Sequence, residues 1–81
     1  MISSSQIRAA RALLNWNGQQ LADASGISLK TLRRYESHEG IPSATIKSLT
    51  AIKVVLEAKG IEFIGDPLVN PGVVLNVALR G

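Results

Sequence analysis

The chain has no cysteine, and among its 81 residues it has one tryptophan, one tyrosine and one phenylalanine. Without cysteine there is no disulfide framework and no thiolate zinc site. With aromatics at 4 %, the stacking platforms of single-stranded nucleic-acid binders are missing. No apolar run approaches the ~18 residues that a membrane span requires. The opening stretch "MISSSQIRAA" has no apolar core of a secretory signal, so the expected compartment is the cytoplasm and no membrane partner is expected. Catalytic signatures are also missing: no glycine-rich phosphate loop, no Ser–His–Asp arrangement and no pair of carboxylates placed for acid–base work. We therefore expect neither an enzyme nor a cofactor. His38 is the only histidine. It has no further ligands at short spacing, so it is expected to be solvated and not to hold a metal.

What is present is charge, unevenly spread. Residues 1–35 hold Arg8, Arg11, Lys30, Arg33 and Arg34 against Asp23 alone, whereas residues 36–81 hold one more carboxylate than cations. A basic N-terminal half suits a polyanionic partner. A chain this short forms one domain with a modest core, which oligomerisation commonly supplements.

Helix signals dominate the first 60 residues. Ser3 with Gln6 makes a capping box, and Ile2 with Ile7 makes a hydrophobic staple. These predict a helix over about 4–14. Asn17 with Gln20 makes a second box, and Gly26 closes the run, predicting a helix over about 18–25. Ser28 caps a third helix over about 29–37, ended by the "HEGIP" breaker. Ser43 caps a fourth over about 44–59, with Ile46, Leu49, Ile52 and Leu56 within about 120° of one another. Val54 and Val55 fall off that stripe.

After Gly60 the period changes. "IEFI" and "VVLNVAL" read as strands, the second with Val73, Leu75, Val77 and Leu79 on one face. The eight-residue connection "GDPLVNPG" is longer than the usual hairpin loop of two to five residues. The expected fold is mainly α, with four helices and a short C-terminal β-hairpin. Residues 1–60 are expected to carry binding, and 61–81 to extend the same domain as a dimerisation or partner-binding segment.

Two short helices joined by a glycine-containing turn make a helix-turn-helix. Leu21, Ile27, Leu32 and Tyr35 supply the contacts between them, and Ala22 allows close approach. With Leu29 set at the origin of a helical wheel, Arg33 falls at about 40°, Lys30 at about 100° and Arg34 at about 140°. Tyr35 and Leu32 fall at about 240° and 300°. One side is apolar. The other presents Leu29, Lys30, Arg33 and Arg34, an arrangement suited to the major groove. Lysine and arginine donate to guanine O6 and N7, and leucine contacts a thymine methyl.

The region "QIRAARALLNWNGQQLADASGISLKTLRRYES" resembles the DNA-binding domain of the Xre, Cro and lambda-repressor-like family of bacterial and phage regulators, over roughly residues 5–60. The resemblance implies that Ser28 caps the recognition helix and touches phosphate. It implies that Leu29, Lys30 and Arg34 read bases with Arg33 beside them, and that Arg11 and Glu36 form a buried ion pair. The family often has a phosphate-binding glutamine at the first residue of the second helix. Here that residue is Gly18, with Gln19 next. Arg8 is open to two readings, phosphate contact or solvation, and Trp16 with Tyr35 is assigned to the core.

These readings converge on a sequence-specific regulator of double-stranded DNA, a repressor on a two-fold operator. A homodimer is expected, built through Val54, Val55, Val73, Leu75 and Val77. The alternative is an antitoxin-like interaction module whose C-terminal strands bind a protein partner, with or without DNA binding.

Overall fold

A computed structural model describes residues 1–37 and 39–79. His38 lies outside the described residues, as do Arg80, Gly81 and the side chain of Leu79.

Four helices come first. Helix α1 (Ser4–Leu13) begins at Ser3, whose hydroxyl accepts the Gln6 N–H at 3.2 Å while the Gln6 side-chain oxygen accepts the Ser3 N–H at 2.9 Å. Ile2 and Ile7 are both buried beneath that cap. Helix α2 (Gly18–Ser25) carries the second box, with Asn17 and Gln20 exchanging two bonds of 2.9 Å. It stops at Gly26, whose φ of 72° is left-handed and favours a residue without a side chain. Helix α3 (Leu29–Glu36) starts at Ser28, whose hydroxyl accepts the Thr31 N–H at 3.1 Å.

Helix α4 (Ile46–Ala58) starts two residues later than expected. Thr45, not Ser43, is its cap and accepts the Ser48 N–H at 3.1 Å. Ile41, the buried Pro42 and Ala44 lie against the core and hold the chain outside the helix until Thr45. The expected stripe is corrected at its first member: Leu49, Ile52 and Leu56 are buried, but Ile46 is 74 % exposed. As the first residue of α4, it lies beyond the packed part of the helix.

Strands β1 (Ile61–Ile64) and β2 (Gly72–Leu75) form an antiparallel hairpin with Ile61 opposite Leu75 and Phe63 opposite Val73. Those four side chains meet the helical core, whereas Ile64 and Val74 point out. The second strand is shorter than its apolar run suggests. The Asn76 N–H still donates to the Gly60 carbonyl at 2.8 Å, but the Asn76 side-chain oxygen captures the Ala78 N–H at 3.1 Å. This turns the chain into a single 3-10 turn at Val77–Leu79. Val77 therefore leaves the face it was expected to share with Val73 and Leu75.

The long loop holds itself together. The Asp66 N–H donates to the Asn70 side chain at 2.6 Å, the Leu68 N–H to the Asp66 carboxylate at 2.8 Å, and the Asn70 N–H to the Asp66 carbonyl at 3.0 Å. Gly65 begins it at φ 74°, and a Cβ there would lie 2.0 Å from the Asn70 carbonyl oxygen.

The core runs through the four helices and β1: Ile7, Ala10, Leu14, Leu21, Ala22, Leu32, Tyr35, Leu49, Ile52, Leu56 and Ile61 are buried together. Gln6 joins the two ends of the fold. Its side-chain nitrogen donates to the carbonyls of Ile64 at 3.3 Å and Gly72 at 3.0 Å.

Candidate nucleic-acid interface

Helices α2 and α3 are held at a fixed angle by what they bury. Leu21 and Ala22 of α2 meet Leu32 and Tyr35 of α3, with Ile27 of the turn half-buried beside them. An eight-residue helix cannot roll while Leu32 and Tyr35 occupy the core. The rest of α3 must face out, and Lys30, Arg33 and Arg34 are exposed. The Arg34 guanidinium lies over the Tyr35 ring, 5.5 Å from its centroid.

The C-terminal end of α3 is gripped by α1. Arg11 Nε and Nη2 donate to the two carboxylate oxygens of Glu36 at 2.9 and 3.2 Å, and Nη1 donates to the Trp16 carbonyl at 3.1 Å. A guanidinium fork on a carboxylate fixes direction as well as distance. Ser4 adds a hydroxyl bond of 2.6 Å to the Tyr35 carbonyl. Arg8 donates to the Glu36 carbonyl. Arg8 stays exposed while making this bond to the end of α3. The signal was available: Ser4, Arg8 and Arg11 recur at i, i+4 and i+7, one face of a helix.

Of the expected contact residues, Gln19, Leu29 and Arg33 line a groove of about 430 Å³ together with Arg11, Asn17, Gly18 and Glu36, whereas Ser28, Lys30 and Arg34 are not among its lining. Gln19 is exposed and donates to Asp23 at 2.7 Å. Ser28 is exposed, and its hydroxyl also donates to Thr31 at 2.9 Å. The N–H groups of Gly18 and Gln19 stand in the first turn of α2, where a helix has no acceptors of its own and favours an anion. Leu29 is half-buried against the core and does not stand out with the cations.

Five side chains named as dimer candidates also divide. Val55, Val73 and Leu75 are partly buried and pack against the chain's own core. Val54 is 57 % exposed and Val77 70 % exposed.

Residues 7–46 match the family model described as Helix-turn-helix. The chain carries a helix-turn-helix domain of the Xre and lambda-repressor-like family, a family of DNA-binding regulators. No curated protein sequence matches the chain. The matched span covers the helix-turn-helix pair with most of α1 and ends at the first residue of α4. Helix α4 and the hairpin lie beyond it. Among the described residues of this helix-turn-helix protein, no cluster of three or more His, Cys, Asp or Glu is placed to hold a metal, and no helix is long and apolar enough to cross a membrane.

Proposed function

We propose that the protein is a sequence-specific transcriptional regulator of double-stranded DNA, a cytoplasmic repressor that reads a two-fold operator as a homodimer. The observation that carries this reading is the outward face of α3, where Lys30, Arg33 and Arg34 are exposed while Leu32 and Tyr35 are buried behind them. Lys30 and Arg34 supply donors for base edges and Arg33 flanks them. Gln19, Ser28 and the first N–H groups of α2 serve the phosphates, which set register and salt dependence. Residues 1–60 act as the binding domain, and 61–81 extend it. No chemistry is catalysed.

The test is a salt series of gel shifts with an operator selected from random duplexes. Arg34→Ala is expected to weaken binding by about 1–3 kcal/mol and to relax preference at one base pair of each half-site. Unchanged affinity and unchanged preference would reject α3 as the reading helix.

A dimer is supported by the exposed apolar side chains of Met1, Ile46 and Val54, which border a groove of about 300 Å³ along α4. Sedimentation at micromolar concentration is expected to give a dimer for the wild type and a monomer for Val54→Asp. A wild-type monomer at that concentration would remove the homodimer.

The interaction-module reading is favoured by a different surface. Ile64 and Val74 on the outer face of the hairpin, and Leu68 and Val69 on its loop, are exposed. Because Ile61 belongs to the core, deleting the hairpin would damage the fold. Leu68→Ser with Val69→Ser is the cleaner probe. Loss of a bound protein partner with DNA affinity intact would establish that second role.

A further inference from the structure

Gly18 is the first residue of α2, and nothing in its backbone calls for glycine. Its φ is not among the positive values, which belong to Asn15 and to Gly26, Gly40, Gly60 and Gly65. What calls for glycine is space. A Cβ at position 18 would lie 3.0 Å from Leu29 Cδ1 and 4.0 Å from Leu32 Cδ2. Leu29, the first residue of α3, is half-buried and belongs to the side chains packed on the core. Its end methyl stands so close to position 18 that any Cβ there would make a contact too tight to keep unless Leu29 moved.

We infer that Leu29 is a positioning residue closed over Gly18, and that the missing side chain at position 18 keeps leucine out of base reading. This rests on the proposed DNA-binding role of α3. An exposed leucine on this helix has one use at a base edge, contact with the thymine methyl. Folded against Gly18, the side chain instead ties the starts of α2 and α3 together beside Gln19 and Arg33, which line the same groove. Selectivity then falls to Lys30, Arg33 and Arg34. The arrangement is also reversible by one methyl group. A Cβ at position 18 meets the far end of a flexible side chain rather than backbone. Leu29 can answer by changing rotamer and swinging outward, with α2 and α3 unmoved.

The experiment compares wild type, Gly18→Ala, Leu29→Ala and the double variant. Base preference is read by selection from random duplexes, and folding by thermal melts. Leu29→Ala is expected to keep the wild-type preference at every position. Gly18→Ala is expected to fold as well as wild type and to gain roughly fivefold or more for thymine at one position of each half-site, the low end of a base contact. The double variant is expected to return to the Leu29→Ala profile. A change of helix geometry that does not pass through Leu29 would not vanish on removing it.

Relaxed preference in Leu29→Ala alone would overturn the inference, because Leu29 would then be a reader. So would an unchanged profile in a folded Gly18→Ala, or a gain that persists in the double variant. Should Gly18→Ala fail to fold, the wild-type protein decides. A nuclear Overhauser contact between a Leu29 methyl and the Gly18 α-protons is expected without DNA and retained on the operator. Its absence in the free protein refutes the closed arrangement. A wild type that selects no duplex, yet shows that contact, refutes the DNA-binding role and leaves the packing in place.

Discussion

Leu32→Ala will cost about 2–5 kcal/mol of folding stability. Leu32 is fully buried and stands where α3 meets α2 and the core, with one methyl 4.0 Å from the position a Cβ would take on Gly18. Truncation removes the transfer energy of its methyl groups and leaves a cavity lined by neighbours that belong to other elements. Native domains are stable by only about 5–15 kcal/mol, and a short one has little core to spare. A large unfolded fraction is therefore expected at 37 °C. Urea melts check this through a lowered midpoint at unchanged slope. Leu32→Met keeps the volume and should cost less than about 1.5 kcal/mol. A loss below about 1 kcal/mol in the alanine variant would mean that α3 is not anchored through Leu32.

Arg11→Ala comes next, with an expected loss near 3 kcal/mol, the low end of the range for breaking a buried pair. The low end applies because the Arg11 side chain keeps 27 % of its exposure, whereas Glu36 keeps 10 %. The variant leaves the Glu36 carboxylate without its fork and the Trp16 carbonyl without its donor. Replacing both partners, Arg11→Met with Glu36→Leu, should recover most of the loss, since two apolar groups can satisfy each other where one stranded charge cannot. The check is a double-mutant cycle in denaturant. Single losses that simply add would show that the pair is not a unit. DNA affinity should fall further than stability alone explains, because Glu36 sets the end of α3 against α1.

The sequence made the helical part of the fold readable because its boundaries are written in local chemistry. Ser3 with Gln6 and Asn17 with Gln20 are reciprocal side-chain–backbone bonds within three residues, and such bonds do not wait for tertiary structure. Ser43 and Thr45 show the limit of that logic. Both carry a capping hydroxyl, and the choice was made by Ile41 and Ala44 packing at a distance. The same is true of Asn76, whose polar side chain ended a strand that hydrophobic alternation would have continued. On α3 the wheel separated the buried Leu32 and Tyr35 from the exposed Lys30, Arg33 and Arg34. It set Leu29 outward with the cations, yet Leu29 is half-buried, because a residue at the edge of an apolar face is settled by its neighbour, and that neighbour is a glycine eleven positions upstream. Val55, Val73 and Leu75 lie partly buried against the core while Val54 and Val77 stand exposed for a related reason: periodicity says which residues share a face, not which face meets the core.

Gln6 joins two parts of the chain made at different times. Its amide oxygen holds the start of α1, while its nitrogen holds carbonyls at Ile64 and Gly72. During synthesis all the residues of α1, α2 and α3 are joined before residue 72 is added. The surface proposed to meet DNA is thus made from the part of the chain joined first, and the fold closes only when the last strand arrives. A nascent chain shorter than that would carry the residues of α3 on a base that still lacks its last strand. Gln6 acts as the latch between the two, and makes the folded state depend on residues far downstream of α2 and α3.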